Sequence, residues 1–88
     1  MLRVAYKSVF IRLLKRCPEE LQELAILKID LFKDPKNHKQ LGVHKLKGWL
    51  KDKYGFWVTK KIRITFEYAS KEEVFLLAIG DHDIYRRR

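Results

Sequence analysis

Cysteine is almost missing from this chain of 88 residues: the single Cys17 excludes an internal disulfide framework and any Cys-rich zinc module. A reducing compartment is expected, the cytoplasm by default. Proline and glycine are sparse as well, at two and four residues, and no Gly-, Ser- or Pro-rich linker divides the chain. With no internal repeat or low-complexity run, residues 1–88 read as a single domain. No apolar run approaches the roughly 20 residues that a membrane span needs, and residues 1–7 lack the uninterrupted apolar stretch of an export signal. Neither a membrane partner nor export is therefore expected. Acidic side chains are scarce, with 11 Asp plus Glu against 20 Lys plus Arg, which leaves a formal charge of +9. A domain this short hides only about 60–65% of the surface its unfolded chain exposes, so the core must be small and a large interdomain cavity is excluded.

What is present folds. A hydrophobic share of 47%, with 12% aromatic residues, separates the chain from disordered basic tails. A positive charge this large on a folded body draws polyanions, nucleic acid or the ribosome ahead of an acidic protein. The charge is uneven: residues 1–33 hold 7 basic and 4 acidic side chains, residues 34–63 hold 9 and 2, and residues 64–88 hold 4 and 5. The middle third is the electrostatic footprint.

Leu2, Val4 and Tyr6 alternate with Arg3 and Ala5, the period of a short strand. Ser8 offers a helix N-cap, and Phe10, Leu13, Leu14 and Cys17 then fall on one helical face. Pro18 suits the first turn of a second helix, where Glu19, Glu20 and Glu23 complement the positive end of the dipole. Leu21, Leu24, Ala25, Leu31 and Phe32 make its apolar face, and the two helices are expected as an antiparallel hairpin. Asp34-Pro35 stops the second helix. Residues 36–53 read as a basic loop with room for a short strand at 43–46. Residues 55–58 are aromatic-rich, Ile62, Ile64, Phe66 and Tyr68 alternate with Arg63, Thr65 and Glu67, and residues 74–79 are apolar enough for a strand covered on both faces. The order is βααβββ, an α+β fold in which an antiparallel sheet carries a two-helix hairpin on one face.

The basic loop places His38, Lys39, His44, Lys45, Lys47, Lys51 and Lys53 among Trp49, Tyr54, Phe56 and Trp57. Cations beside stacking rings are the combination used for RNA and unpaired strands, although loop lysines also serve solubility and some of these rings must fill the core. Arg63 admits two readings: a solvent-face charge paired with Glu67, or a strand-mounted guanidinium gripping a phosphate. At the C-terminus His82 can exchange protons near neutrality and Tyr85 can assist, or the segment can simply close the sheet with polar groups. A metal site at Asp81, His82 and Asp83 is disfavoured because neighbours in an extended segment point to opposite sides. Neither metal nor cofactor is expected.

Four segments in order carry a family resemblance: a loop ending His44-Lys45-Leu46-Lys47-Gly48, the strand Tyr54-Gly55-Phe56-Trp57-Val58, the strand Ile62-Arg63-Ile64-Thr65-Phe66-Glu67-Tyr68, and the ending Leu77-Ala78-Ile79-Gly80-Asp81-His82-Asp83-Ile84-Tyr85-Arg86. With the leading βαα unit they cover nearly the whole chain, which resembles the RelE/ParE superfamily of toxins from type II toxin–antitoxin pairs, most of all its YafQ-type branch. The resemblance implies a toxin held inactive by an acidic antitoxin, and a ribosome-dependent endoribonuclease that cuts mRNA without a metal. In that chemistry a 2′-hydroxyl attacks its own 3′-phosphate. The residues matching functional positions are His44, Arg63, His82 and Tyr85. The implied roles are His82 as general acid or base, His44 as its partner or a phosphate ligand, Arg63 with Lys45 and Lys47 as charge stabilisers, and Tyr85 orienting or stacking on substrate. Lys51, Lys53, Lys61 and Trp57 complete the expected RNA surface. YafQ-type members carry a second loop-side His and an acidic residue where this sequence has Trp57 and Lys61. The alternative is a ParE-like inhibitor of DNA gyrase with no nuclease activity.

Overall fold

The computed structural model describes residues 1–81, the side chain of Trp49 excepted. Among these residues the chain forms strand β1 (Arg3–Tyr6), helices α1 (Ser8–Lys15) and α2 (Glu19–Phe32), and strands β2 (His44–Lys45), β3 (Tyr54–Trp57), β4 (Arg63–Tyr68) and β5 (Glu73–Gly80). No helix among them is long and apolar enough to cross a membrane.

Local chemistry sets the helix ends. Helix α1 begins after the extended Lys7, which gives no side-chain cap, so Ser8 opens the helix instead of capping it. Pro18 likewise stands just outside α2 in extended conformation, with Glu19 and Glu20 in the first turn against the positive dipole end. The Gln22 amide donates to the Cys17 carbonyl at 2.8 Å and ties the second helix to the break. Beyond Lys33 the Asp34 carboxylate accepts the Lys36 N–H at 3.1 Å, capping a 3-10 turn at Pro35–Asn37.

The core lies between the helices and one face of the sheet. Phe10 of α1 and Ala25, Ile29 and Phe32 of α2 meet Phe56, Ile64, Phe66, Val74, Leu76 and Ile79. Phe32 is the centre, stacked on Phe56 at 4.4 Å and edge-on to Phe66 at 4.7 Å. The helical face departs from expectation at Leu31, which is 41% exposed, while Ile29 is 1% exposed. Ala25, Ile29 and Phe32 follow i, i+4, i+7 spacing, and Leu31 lies about 200° around the helix from Ile29.

The strand order is β1-β5-β4-β3-β2. Three neighbouring pairs are antiparallel, but β1 joins β5 in parallel with Val4 opposite Val74, so the sheet is mixed and not antiparallel throughout. Alternation reads the same in either direction, and strands so far apart in sequence escape the turn geometry that forces a hairpin to be antiparallel. Strand β5 also differs from the two-sided expectation. Val74, Leu76 and Ile79 are buried, whereas Phe75, Leu77 and Ala78 are only half-buried on the strand. The Lys7 ammonium lies 4.5 Å over the Phe75 ring and partly covers that face. Register passes from Thr65 opposite Ala78 to Phe66 opposite Leu76, leaving Leu77 as an extra residue. Such a bulge bends and twists the strand end, here the end that carries Gly80.

Candidate phosphate-binding groove

The loop before β2 and the ends of β3 and β4 converge on a groove of about 650 Å³, lined by Gly42, Val43, His44, Lys45, Leu46, Lys47, Trp57 and Arg63. Five of the expected site residues therefore meet there: His44, Lys45, Lys47, Trp57 and Arg63. Lys51 and Lys61 are exposed on turns outside the lining. The Lys53 ammonium is committed to the Glu67 carboxylate at 2.9 Å. His82 and Tyr85 lie outside the described residues.

Arg63 opens β4 with Trp57 across from it on β3 and Gly80 across from it on β5. The chain thus leaves β5 beside Arg63. The hairpin feeding Arg63 is held by Thr59, whose hydroxyl accepts the Lys61 and Ile62 N–H groups at 3.2 and 3.0 Å. The Arg63 guanidinium donates through Nη1 to the Lys60 carbonyl and lies 5.8 Å from the Trp57 ring centroid. Glu67 does not pair with it. Four positions along an extended strand span about 13 Å, too far for that pair. Tyr54 faces Phe66 in the antiparallel ladder, which puts Lys53 directly across from Glu67.

The two loop histidines have different duties. The His44 Nδ1–H donates to the Gly42 carbonyl at 2.8 Å. A carbonyl only accepts, so in the neutral ring the free Nε2 keeps its lone pair and can take a proton. His38 instead donates from Nε2 to the Phe32 carbonyl at 2.8 Å and stacks on the Phe32 ring at 4.8 Å. Its own carbonyl accepts the Val43 N–H at 3.0 Å. His38 is a strut under the loop.

Gly42 is the residue that sequence reasoning missed. Its φ of +68° suits glycine, and a Cβ there would stand 2.8–2.9 Å from three Trp57 ring atoms. One glycine between Leu41 and Val43 was the only signal available. Trp57 remains 46% exposed, and its backbone N–H donates to the Leu41 carbonyl at 2.9 Å. Among the described residues no carboxylate lines the groove. Three cations, an imidazole with a free lone pair and a half-exposed indole suit a phosphate-bearing ligand with a planar group.

No protein-family model and no curated protein matches the sequence. Solved structures do. A conserved hypothetical protein of Helicobacter pylori aligns at TM-score 0.69 and 23% identity, over 94% of this chain and 97% of its own. A chain of the toxin–antitoxin complex RelBE2 from Mycobacterium tuberculosis aligns at TM-score 0.70 and 14% identity, over 92% of this chain and 98% of its own. The fold is that of RelE/ParE-type toxins. YafQ from E. coli, at TM-score 0.71 and 12% identity over 97% of this chain and 98% of its own, shares the RelE/ParE-type fold about equally. The YafQ-type branch is therefore not singled out. In this RelE/ParE-type frame the groove sits where β3 ends and β4 begins, beside the end of β5.

Proposed function

We propose that this chain is the toxin of a type II toxin–antitoxin pair and a ribosome-dependent endoribonuclease that cleaves mRNA in the groove. The observation that carries the reading is His44, with Nδ1–H committed to Gly42 and Nε2 left as an acceptor beside Lys45, Lys47 and Arg63. In metal-independent RNA cleavage a base removes the 2′-hydroxyl proton and the freed oxygen attacks the adjacent phosphorus. The 5′-oxygen then leaves with a proton from an acid, giving a 2′,3′-cyclic phosphate and a 5′-hydroxyl. His44 is the base of this scheme. Lys45, Lys47 and Arg63 stabilise the charge that grows on the non-bridging phosphate oxygens, where positioned cations act most strongly. His82 is the acid and Tyr85 orients the substrate. An acidic antitoxin competes with RNA for the same cations. Complexes of toxin with antitoxin among the proteins of like fold support that partner. The reaction calls for neither metal nor organic cofactor, and ribosomes place it in the cytoplasm.

The test is unopposed expression with mRNA 5′ ends mapped in translating ribosomes. New ends inside coding sequence are expected, and His44→Ala should slow their appearance by about 10²–10⁴-fold. Growth arrest without new ends refutes the nuclease reading, and DNA damage with intact mRNA supports gyrase inhibition instead.

A further inference from the structure

We infer that Trp57, seated on Gly42, is a nucleobase shelf that takes an unpaired base next to the reacting phosphate and makes the groove discriminate among bases by stacking. The reacting phosphate rests on the nuclease reading above; the shelf itself does not.

The seat is glycine's bare backbone. A Cβ at position 42 would lie 2.8 Å from Cδ2 and 2.9 Å from both Cε2 and Cε3 of Trp57. Three bonded ring atoms at nearly one distance mean that the contact is with the flat of the indole and not its edge. One indole face is thus taken up by the chain at Gly42, and the Trp57 N–H bond to Leu41 fixes the backbone on the same side. Trp57 is not part of the buried core, and 46% of its surface remains exposed.

What surrounds the plane decides the ligand. The Arg63 guanidinium lies over the ring, 5.8 Å from its centroid, so a base stacking on that face shares it with Arg63 or displaces it, and Lys45 and Lys47 line the same groove. A nucleotide has the matching layout, a flat base one sugar away from a phosphate. Paired bases have both faces stacked within the helix, so only an unpaired base can lie on the shelf. Stacking grows with π-surface, and purines should bind ahead of pyrimidines.

The experiment uses the full chain carrying Trp49→Phe, which leaves Trp57 as the only indole, titrated with uncleavable 2′-O-methyl oligoadenylate and oligouridylate. Binding should quench Trp57 fluorescence, more tightly for the adenylate. Trp57→Leu, followed by fluorescence anisotropy of labelled RNA, should weaken binding by about 5- to 150-fold, the range for one base–aromatic stack. Gly42→Ala should weaken binding in the same direction, with circular dichroism confirming that each variant folds. Oligonucleotides that do not bind, that bind without quenching Trp57, or that bind Trp57→Leu as tightly as the parent overturn the shelf. Quenching in a chain that cuts no mRNA supports the shelf and removes the nuclease reading. Unchanged cleavage by Trp57→Leu removes the shelf and leaves the nuclease standing.

Discussion

Replacing His38 by Ala tests whether the loop that carries the groove is held from beneath. Two interactions disappear at once. The bond from Nε2 to the Phe32 carbonyl, 2.8 Å long and half-buried, contributes about 0.5–1.5 kcal/mol. The stacked pair with Phe32, 4.8 Å between centroids and 9° between planes, contributes about 0.5–1.5 kcal/mol beyond its buried area. The Phe32 carbonyl is among the last four of α2, which have no partner within the helix. Water can reach a half-buried acceptor, which keeps the penalty for losing the donor modest. The expected loss is about 1–3 kcal/mol, and at about 4–8 °C per kcal/mol for a domain of this size the melting temperature should drop by roughly 5–20 °C. Urea unfolding at constant m-value is the assay. His38→Phe keeps the ring without the donor and His38→Asn keeps a donor without the ring, so each should recover part of the loss. The Val43 N–H bond goes to the His38 backbone and survives all three substitutions. A His38→Ala chain within about 0.5 kcal/mol of the parent refutes the reasoning, as does His38→Phe unfolding as readily as His38→Ala.

Two further outcomes follow from the charges and the phenols. Lys45→Ala and Lys47→Ala should each flatten the dependence of log binding constant on log salt by about 0.7 for single-stranded RNA, the share of one phosphate contact. Lys53→Ala, its ammonium being held by Glu67, should leave that slope alone and cost at most about 1 kcal/mol of stability; an equal change in slope for all three would contradict the placement. Burial, with Tyr54 beside it, raises the Tyr68 hydroxyl above its usual 10.0, and burial with Asp30 does the same for Tyr6. The folded state favours the neutral phenols, so the unfolded chain ionises first and the stability present below pH 10 is lost as pH rises through the folded values. Urea midpoints taken below and above pH 10 should show the fall, and Tyr68→Phe should shrink it; an undiminished fall in a Tyr6→Phe, Tyr68→Phe chain argues against this origin.

Much of the groove was legible because its residues are close in sequence or sit at strand ends. His44, Lys45 and Lys47 occupy one short segment, and alternation put Arg63 on the opposite face from Ile64 and Phe66. The partners of these groups were not legible. Which carboxylate meets which cation depends on cross-strand register, and register gave Glu67 to Lys53 and left Arg63 to Lys60 and Trp57. The burial of residues 74–79 was misread for a related reason. An apolar run looks the same whether both faces are covered or one is half-open beneath Lys7.

By itself the sequence determined the elements and the sign of the chain's own charge. Periods of 2.0 and 3.6, proline and acidic helix starts, and an excess of lysine are local properties that each segment carries wherever it packs. The tertiary structure alone decided direction, pairing and the His44 tautomer. The parallel β1, the extra residue at Leu77, the Gly42 carbonyl that sets the His44 tautomer and the Trp57 ring lying on Gly42 all join residues distant along the chain or oriented by the fold. Their geometry exists only once the sheet has closed over Phe32.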